Sequence, residues 1–141
     1  MDKKRRGFTL IEVLAVIVVL GIIALIVVPN VLRIVNKSRM DSAVASAKQY
    51  VESVKASIVQ QVGSKKFKAT YCDVTEKGDL TCDDEGTYEV YAENKKPTEG
   101  RIFFDNKTIV NISNLKFGKY FINTDANGEY YASTTEKNLS E

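Results

Sequence analysis

The sequence predicts an α+β protein: one long amino-terminal α-helix, transmembrane in its first half and amphipathic in its second, packed against a small antiparallel β-sheet. Three observations carry this. Residues 13–32 are an uncharged run of 20, about what an α-helix needs to cross a hydrocarbon core roughly 30 Å thick at ~1.5 Å per residue. Further on, Met40, Ala43, Val44, Ala47, Tyr50, Val51, Val54, Ile58 and Val62 recur at threes and fours, the period of a helix with one buried face. From Lys66 onward the chain changes to short runs rich in aromatic and β-branched residues with turn residues between them.

Composition bounds the rest. At 141 residues there is room for one modest soluble module beside the apolar segment. A charged fraction of 27% with 2 Pro and 8 Gly excludes collagen-like and broadly disordered classes. The net charge of +2 is too near neutral to argue for nucleic acid by bulk electrostatics. Residues 1–7 hold four cations and one acid, so removing them takes the formal charge from +2 to −1. The basic character belongs to the amino end.

Taken in order, Lys3, Lys4, Arg5 and Arg6 come first, and the positive-inside bias places them in the cytoplasm with everything after the span outside. Arg33, Lys37 and Arg39 on the far side weaken that bias. A cleavable secretory signal is the competing reading, but its apolar core is shorter and is followed by a small-x-small site, where this chain continues VVPNVLR.

Glu12 is the anomaly of the apolar segment. A carboxylate at the centre of a membrane helix costs ~2.5–3.5 kcal/mol on insertion scales, and less near its end. One reading has it snorkelling to the headgroups. The other has it await a cation met only in an assembled state, such as an amine created by cutting the bond between Gly7 and Phe8. Gly21 and Pro29 mark two weak points of the helix. Glycine costs roughly 1 kcal/mol against alanine in a helix interior. Proline removes a donor and crowds the carbonyl four residues back, so the helix is expected to bend just before Pro29.

The amphipathic half has its polar face on Lys48, Gln49, Glu52, Ser53 and Lys55, and Gly63 as its stop. A dimeric coiled coil competes for the same stripe but lacks a sustained heptad. Six strand-like runs follow: KFKATYCDV, GTYEVYA, RIFFD, KTIVNIS, KFGKYFIN and EYYAS. Asp105-Asn106-Lys107 and Asp125-Ala126-Asn127-Gly128 read as hairpin connections. One sheet of about four strands is expected to lie on the helix stripe. Cys72 and Cys82, ten residues apart, are expected to form a disulfide if the domain is outside the membrane, with a loop-closure gain of roughly 3 kcal/mol. The alternative is two reduced thiols; two cysteines with no histidine make a poor zinc site.

Asp125, Asn127 and Glu129 alternate as some calcium ligands do, but the full loop pattern is missing and an Asn-Gly turn explains them without metal. Asn106-Lys107-Thr108 and Asn111-Ile112-Ser113 match a glycosylation sequon too short to carry a role. With no His, no GxSxG elbow and no phosphate loop, the usual nucleophile and base arrangements are absent and an enzyme is not expected. The acids Asp83, Asp84 and Glu85 read as a solvated charge run in a turn. No catalytic residue, metal or cofactor is expected.

Lys4-Arg5-Arg6-Gly7-Phe8-Thr9-Leu10-Ile11-Glu12, followed by an uncharged run holding Gly21 and Pro29, resembles the class III leader of type IV pilins and pseudopilins. The resemblance is close over residues 1 to about 35 and loose beyond. It implies cleavage after Gly7 by a membrane-embedded prepilin peptidase that also N-methylates the new terminus at Phe8. It implies that Glu12 pairs with the Phe8 amine of a neighbouring subunit and sets axial register, and that the helix unwinds between Gly21 and Pro29 in the filament. The partners so implied are further copies of the chain, that peptidase, the membrane before assembly, and an inner-membrane platform driven by a separate assembly ATPase.

The resulting division is a cleaved leader at 1–7, a transmembrane and filament-core helix at 8–32, its amphipathic continuation at 33–63, a sheet domain at 64–133 and a flexible tail at 134–141. The expected function is that of a structural subunit of a surface pilus-like filament, leaving the cytoplasmic membrane to polymerise. A minor pseudopilin of a type II secretion or competence system is the alternative. A monomeric membrane-tethered domain would leave Glu12 and the Gly7–Phe8 junction unexplained.

Overall fold

The computed structural model describes residues 7–84 and 86–138. Residues 1–6 of the expected leader, Glu85 of the acidic run and residues 139–141 of the expected tail lie outside the described residues. The chain divides into two compact units, Met1–Ser38 and Arg39–Glu141. One helix, α1 (Leu10–Val62), contributes to both.

In the first unit every described residue is exposed. Leu, Ile and Val dominate it on all sides, the composition of a helix whose surroundings are lipid or other apolar helices. It is long and apolar enough to cross a membrane. The helical assignment runs unbroken through Gly21 and Pro29. Since Pro29 has no N–H to offer the Leu25 carbonyl, the neighbouring turn gains a side-chain contact instead, with Asn30 Nδ2 donating to the Ile26 carbonyl at 3.2 Å.

In the second unit α1 buries the stripe expected of it. Ala43, Ala47, Tyr50, Val51, Val54 and Ile58 are buried, and Met40, Val44 and Val62 pack against the same cluster. Eight strands follow: β1 (Tyr71–Val74), β2 (Leu80–Cys82), β3 (Thr87–Tyr88), β4 (Arg101–Asp105), β5 (Thr108–Ser113), β6 (Leu115–Phe117), β7 (Tyr120–Thr124) and β8 (Tyr130–Ser133). They form not one sheet but two, a five-stranded sheet ordered β3-β2-β1-β4-β5 and a three-stranded sheet ordered β6-β7-β8. All pairings are antiparallel.

Three local differences separate the strands from the sequence expectation, and the first accounts for the second sheet. The run KFGKYFIN is not one strand: Gly118, at φ 64°, turns the chain back so that Phe117 faces Tyr120. The short stretch Leu80-Thr81-Cys82 is a strand because its two apolar ends are buried and it pairs with β1. The run GTYEVYA pairs as a strand only at Thr87 and Tyr88. Beyond them the backbone finds its partners on side chains. Gln61 Oε1 accepts from the Glu89 N–H at 3.2 Å while its Nε2 donates to the Glu89 carbonyl at 2.6 Å. Asp79 Oδ1 accepts from Val90 N–H at 3.0 Å, and Ser57 Oγ from Tyr91 N–H at 3.1 Å. These bonds supply what a neighbouring strand would otherwise have to supply.

The two sheets share one core with α1, in which Leu80, Ile102, Ile112, Leu115 and Ile122 are fully buried. They are linked through Asn114, which sits at φ 56° between β5 and β6. Its side chain binds both backbone groups of Lys137, accepting from the N–H at 2.8 Å and donating to the carbonyl at 2.6 Å. Within the expected tail, then, Lys137 is tied down.

Candidate functional site

The chemistry that the sequence singles out lies at the start of α1. Gly7, Phe8 and Thr9 precede the helix and Leu10 opens it. Thr9 is its N-cap and Glu12 its third residue, and the two exchange hydrogen bonds. Glu12 Oε2 accepts from the Thr9 N–H at 2.7 Å, and Thr9 Oγ1 accepts from the Glu12 N–H at 3.3 Å. This is a capping box, which satisfies donors that a helix end leaves without intrahelical partners. The positive end of the helix dipole adds to it. Glu12 therefore has a local role that its place in an apolar run disguises. The sequence signal was present as Thr9-Leu10-Ile11-Glu12, the Ser/Thr-x-x-Glu pattern ahead of an apolar run.

Glu12 also lines a shallow surface depression with Phe8, Val13, Ala15, Val16 and Ile17. It is the one charged side chain there. The Phe8 side chain is 89% exposed.

Gly7 has no reason within the described chain to be glycine. A Cβ built on it would meet nothing within 4 Å, and its backbone is not left-handed. The same holds for Gly21. By contrast Gly100, at φ 136°, has the Leu115 backbone 2.7 Å from where a Cβ would sit, so there the fold itself demands glycine.

Cys72 and Cys82 form a disulfide that joins directly opposed residues of β1 and β2. Beside it, hydrogen bonds from the Thr70 hydroxyl and then from backbone N–H groups hold the Asp83 carboxyl below the usual carboxylate range. Asp125, Asn127 and Glu129 lie in the turn between β7 and β8. There Asp125 Oδ1 accepts from the N–H groups of Asn127 at 2.8 Å and Glu129 at 2.9 Å. Among the described residues no group of three or more acids, cysteines or histidines is gathered as a metal site. Ser57 and Gln61, which sequence reasoning assigned no part, hold the 89–91 segment to the helix.

Residues 2–28 match the family described as the prokaryotic N-terminal methylation motif. The amino-terminal segment of this chain carries that motif. Over 78 residues the chain is 36% identical to the type II secretion system core protein G of Dickeya chrysanthemi. That match takes in 55% of this chain and 46% of the relative, so the chain spans about half the length of the curated relative it matches. No solved structure matches the chain significantly. The antiparallel sheets on a long amino-terminal helix agree with the α+β fold expected of a pilin.

Proposed function

We propose that this chain is the structural subunit of a type IV pilus-like filament. It is made as a single-pass protein of the cytoplasmic membrane with its amino terminus inside. A prepilin peptidase cuts it between Gly7 and Phe8 and methylates the Phe8 amine. It then leaves the membrane through an assembly platform, powered by a separate ATPase, and joins a helical polymer on the cell surface. The apolar half of α1 forms the shared filament core, where the small residues Ala15, Gly21 and Ala24 let helices approach. Glu12 meets the Phe8 amine of the next subunit and fixes axial register, a use for which a buried ion pair is better suited than for net stability. Gly21 and Pro29 let that stretch loosen when the helices pack.

The observation that carries this reading is Gly7. Among the described residues neither its backbone nor a nearby atom requires glycine, and a need for glycine here would come from something that binds the junction from outside. A protease cleft that admits no side chain at that position is the partner this chemistry fits. Gly7→Leu meets nothing among the described residues and is expected to leave the full-length precursor in the membrane. Normal cutting of that variant in its native cells would remove the peptidase from the account.

A second reading keeps the same processing and polymerisation but places the subunit in the pseudopilus of a type II secretion system. The likeness to a core protein G favours it. The two separate on whether filaments are recovered by shearing cells that express the chain at its native level.

A further inference from the structure

We propose that Tyr91 of one copy docks into the depression beside Lys66 and Lys68 of the next. The proposal rests on the filament reading above and names a contact within that filament. In the second unit Tyr91 is the most exposed large hydrophobic side chain among the described residues, at 60%. It is held as a knob. Ser57 binds its N–H, Gln61 grips both backbone groups of Glu89, and its hydroxyl donates to Glu89 Oε2 at 3.0 Å. Glu89 and Glu93 are exposed two residues to either side of it, and neither acid forms an ion pair among the described residues. The knob is thus ordered before contact, which lowers the entropy lost on docking, and it is flanked by negative charge.

Residues 66–69 have the opposite character. Exposed Lys66 and Lys68 alternate with buried Phe67 and Ala69, which continues the two-residue period of β1 towards the helix. Yet this run belongs to no strand, and its backbone makes no hydrogen bond among the described residues. Unpaired groups on such a run are a template for another chain. Beside it lies a depression of about 600 Å³, ample for one aromatic ring, lined by Phe67, Ala69 and Phe104 together with Lys66, Lys68 and Asp105. Neither lysine forms an ion pair among the described residues. Two cations against one acid favour a knob that carries carboxylates, so the ring supplies buried area at the centre while the charges around it select the orientation. Tyr91 borders α1 at Gln49 and Ser53, and none of these lines the depression. A copy whose depression is filled therefore still presents its own Tyr91, and a contact of this heterologous kind extends into an open polymer.

The test uses the full chain in its native cells and reads the fraction of processed chain recovered in sheared filaments. Tyr91→Ala is expected to lower that fraction about tenfold, as loss of a central aromatic anchor implies, while the processed fraction of total chain stays level. Lys66→Glu with Lys68→Glu, and separately Glu89→Lys with Glu93→Lys, are expected to lower it as well, and the four substitutions together to recover most of the loss. In filaments of the unaltered chain a carbodiimide, which joins an amine to a carboxylate in contact with it, is expected to link Lys66 or Lys68 of one copy to Glu89 or Glu93 of another. Mass spectrometry of the band at twice the chain mass reads the linked pair. Unchanged assembly of any of the three altered chains, a fourfold variant that restores nothing, or a dimer band without this pair would each overturn the proposal. Absence of filaments from cells carrying the unaltered chain would instead overturn the filament reading on which it rests.

Discussion

The hydroxyl of Tyr50 on α1 donates a 2.9 Å hydrogen bond to the carbonyl of Gly78, in the turn that joins β1 to β2. Tyr50 is fully buried. Burial first, and the neighbouring Asp79 second, push the phenol above its ordinary pKa. The neutral phenol is therefore the form the fold requires. Below the unfolded value of about 10 both states hold the proton and the contribution is complete. As pH rises further the unfolded chain ionises first, and stability falls until the folded group also ionises. Tyr50→Phe is expected to cost about 1 kcal/mol at neutral pH and to flatten the stability loss that sets in above about pH 10. Denaturant titrations of the two chains in detergent check this, and parallel alkaline profiles would show that Tyr50 is not the titrating group.

Gln61 binds both backbone groups of Glu89, and Ser57 binds the Tyr91 N–H. These contacts substitute for a strand pair at the end of β3. Gln61→Ala is expected to speed hydrogen exchange at the Glu89 amide by about fivefold, the ratio for one lost hydrogen bond of ~1 kcal/mol. The amides of Ile102 and Ile112, in β4 and β5, should keep their protection. Equal acceleration at all three would mean that the substitution lowers global stability rather than releasing the segment.

The helix was the most legible part of the sequence because its signals are long. Nine apolar positions from Met40 to Val62 recur at helical spacing, and all nine are buried or packed on the core. The two hairpin turns were legible for a different reason. Asn106 at φ 56° and Gly128 at φ 78° occupy conformations that few residues tolerate. The sheet count was not legible, since Lys116-Phe117-Gly118-Lys119-Tyr120 reads equally as a continuous run or a tight hairpin. Ser57 is buried yet polar, so it vanishes from an apolar stripe. Thr9 and Glu12 were on view as a helix-start pattern, but the apolar run after them drew attention to the charge rather than the cap.

The disulfide spans directly opposed residues of β1 and β2, with Cys72 fully buried. Replacing both cysteines with alanine is expected to lower stability by roughly 3 kcal/mol on the chain-entropy account. The strand register should remain, because hydrogen bonds and the core hold it independently of the sulfurs. Burial also shields the bond, so reduction of the native chain is expected to be slow and to accelerate with denaturant. Fast reduction under native conditions, read by thiol labelling and mass, would show that β1 and β2 open locally.

The central claim is that this chain is cut at Gly7–Phe8 and polymerises through the helix so exposed. Intact mass and amino-terminal sequencing of material sheared from native cells test it most directly. The account expects a chain beginning at N-methylated Phe8 in the sheared filaments. A chain beginning at Met1 and confined to the membrane fraction would contradict it, and would leave Glu12 as the cap of a plain membrane anchor.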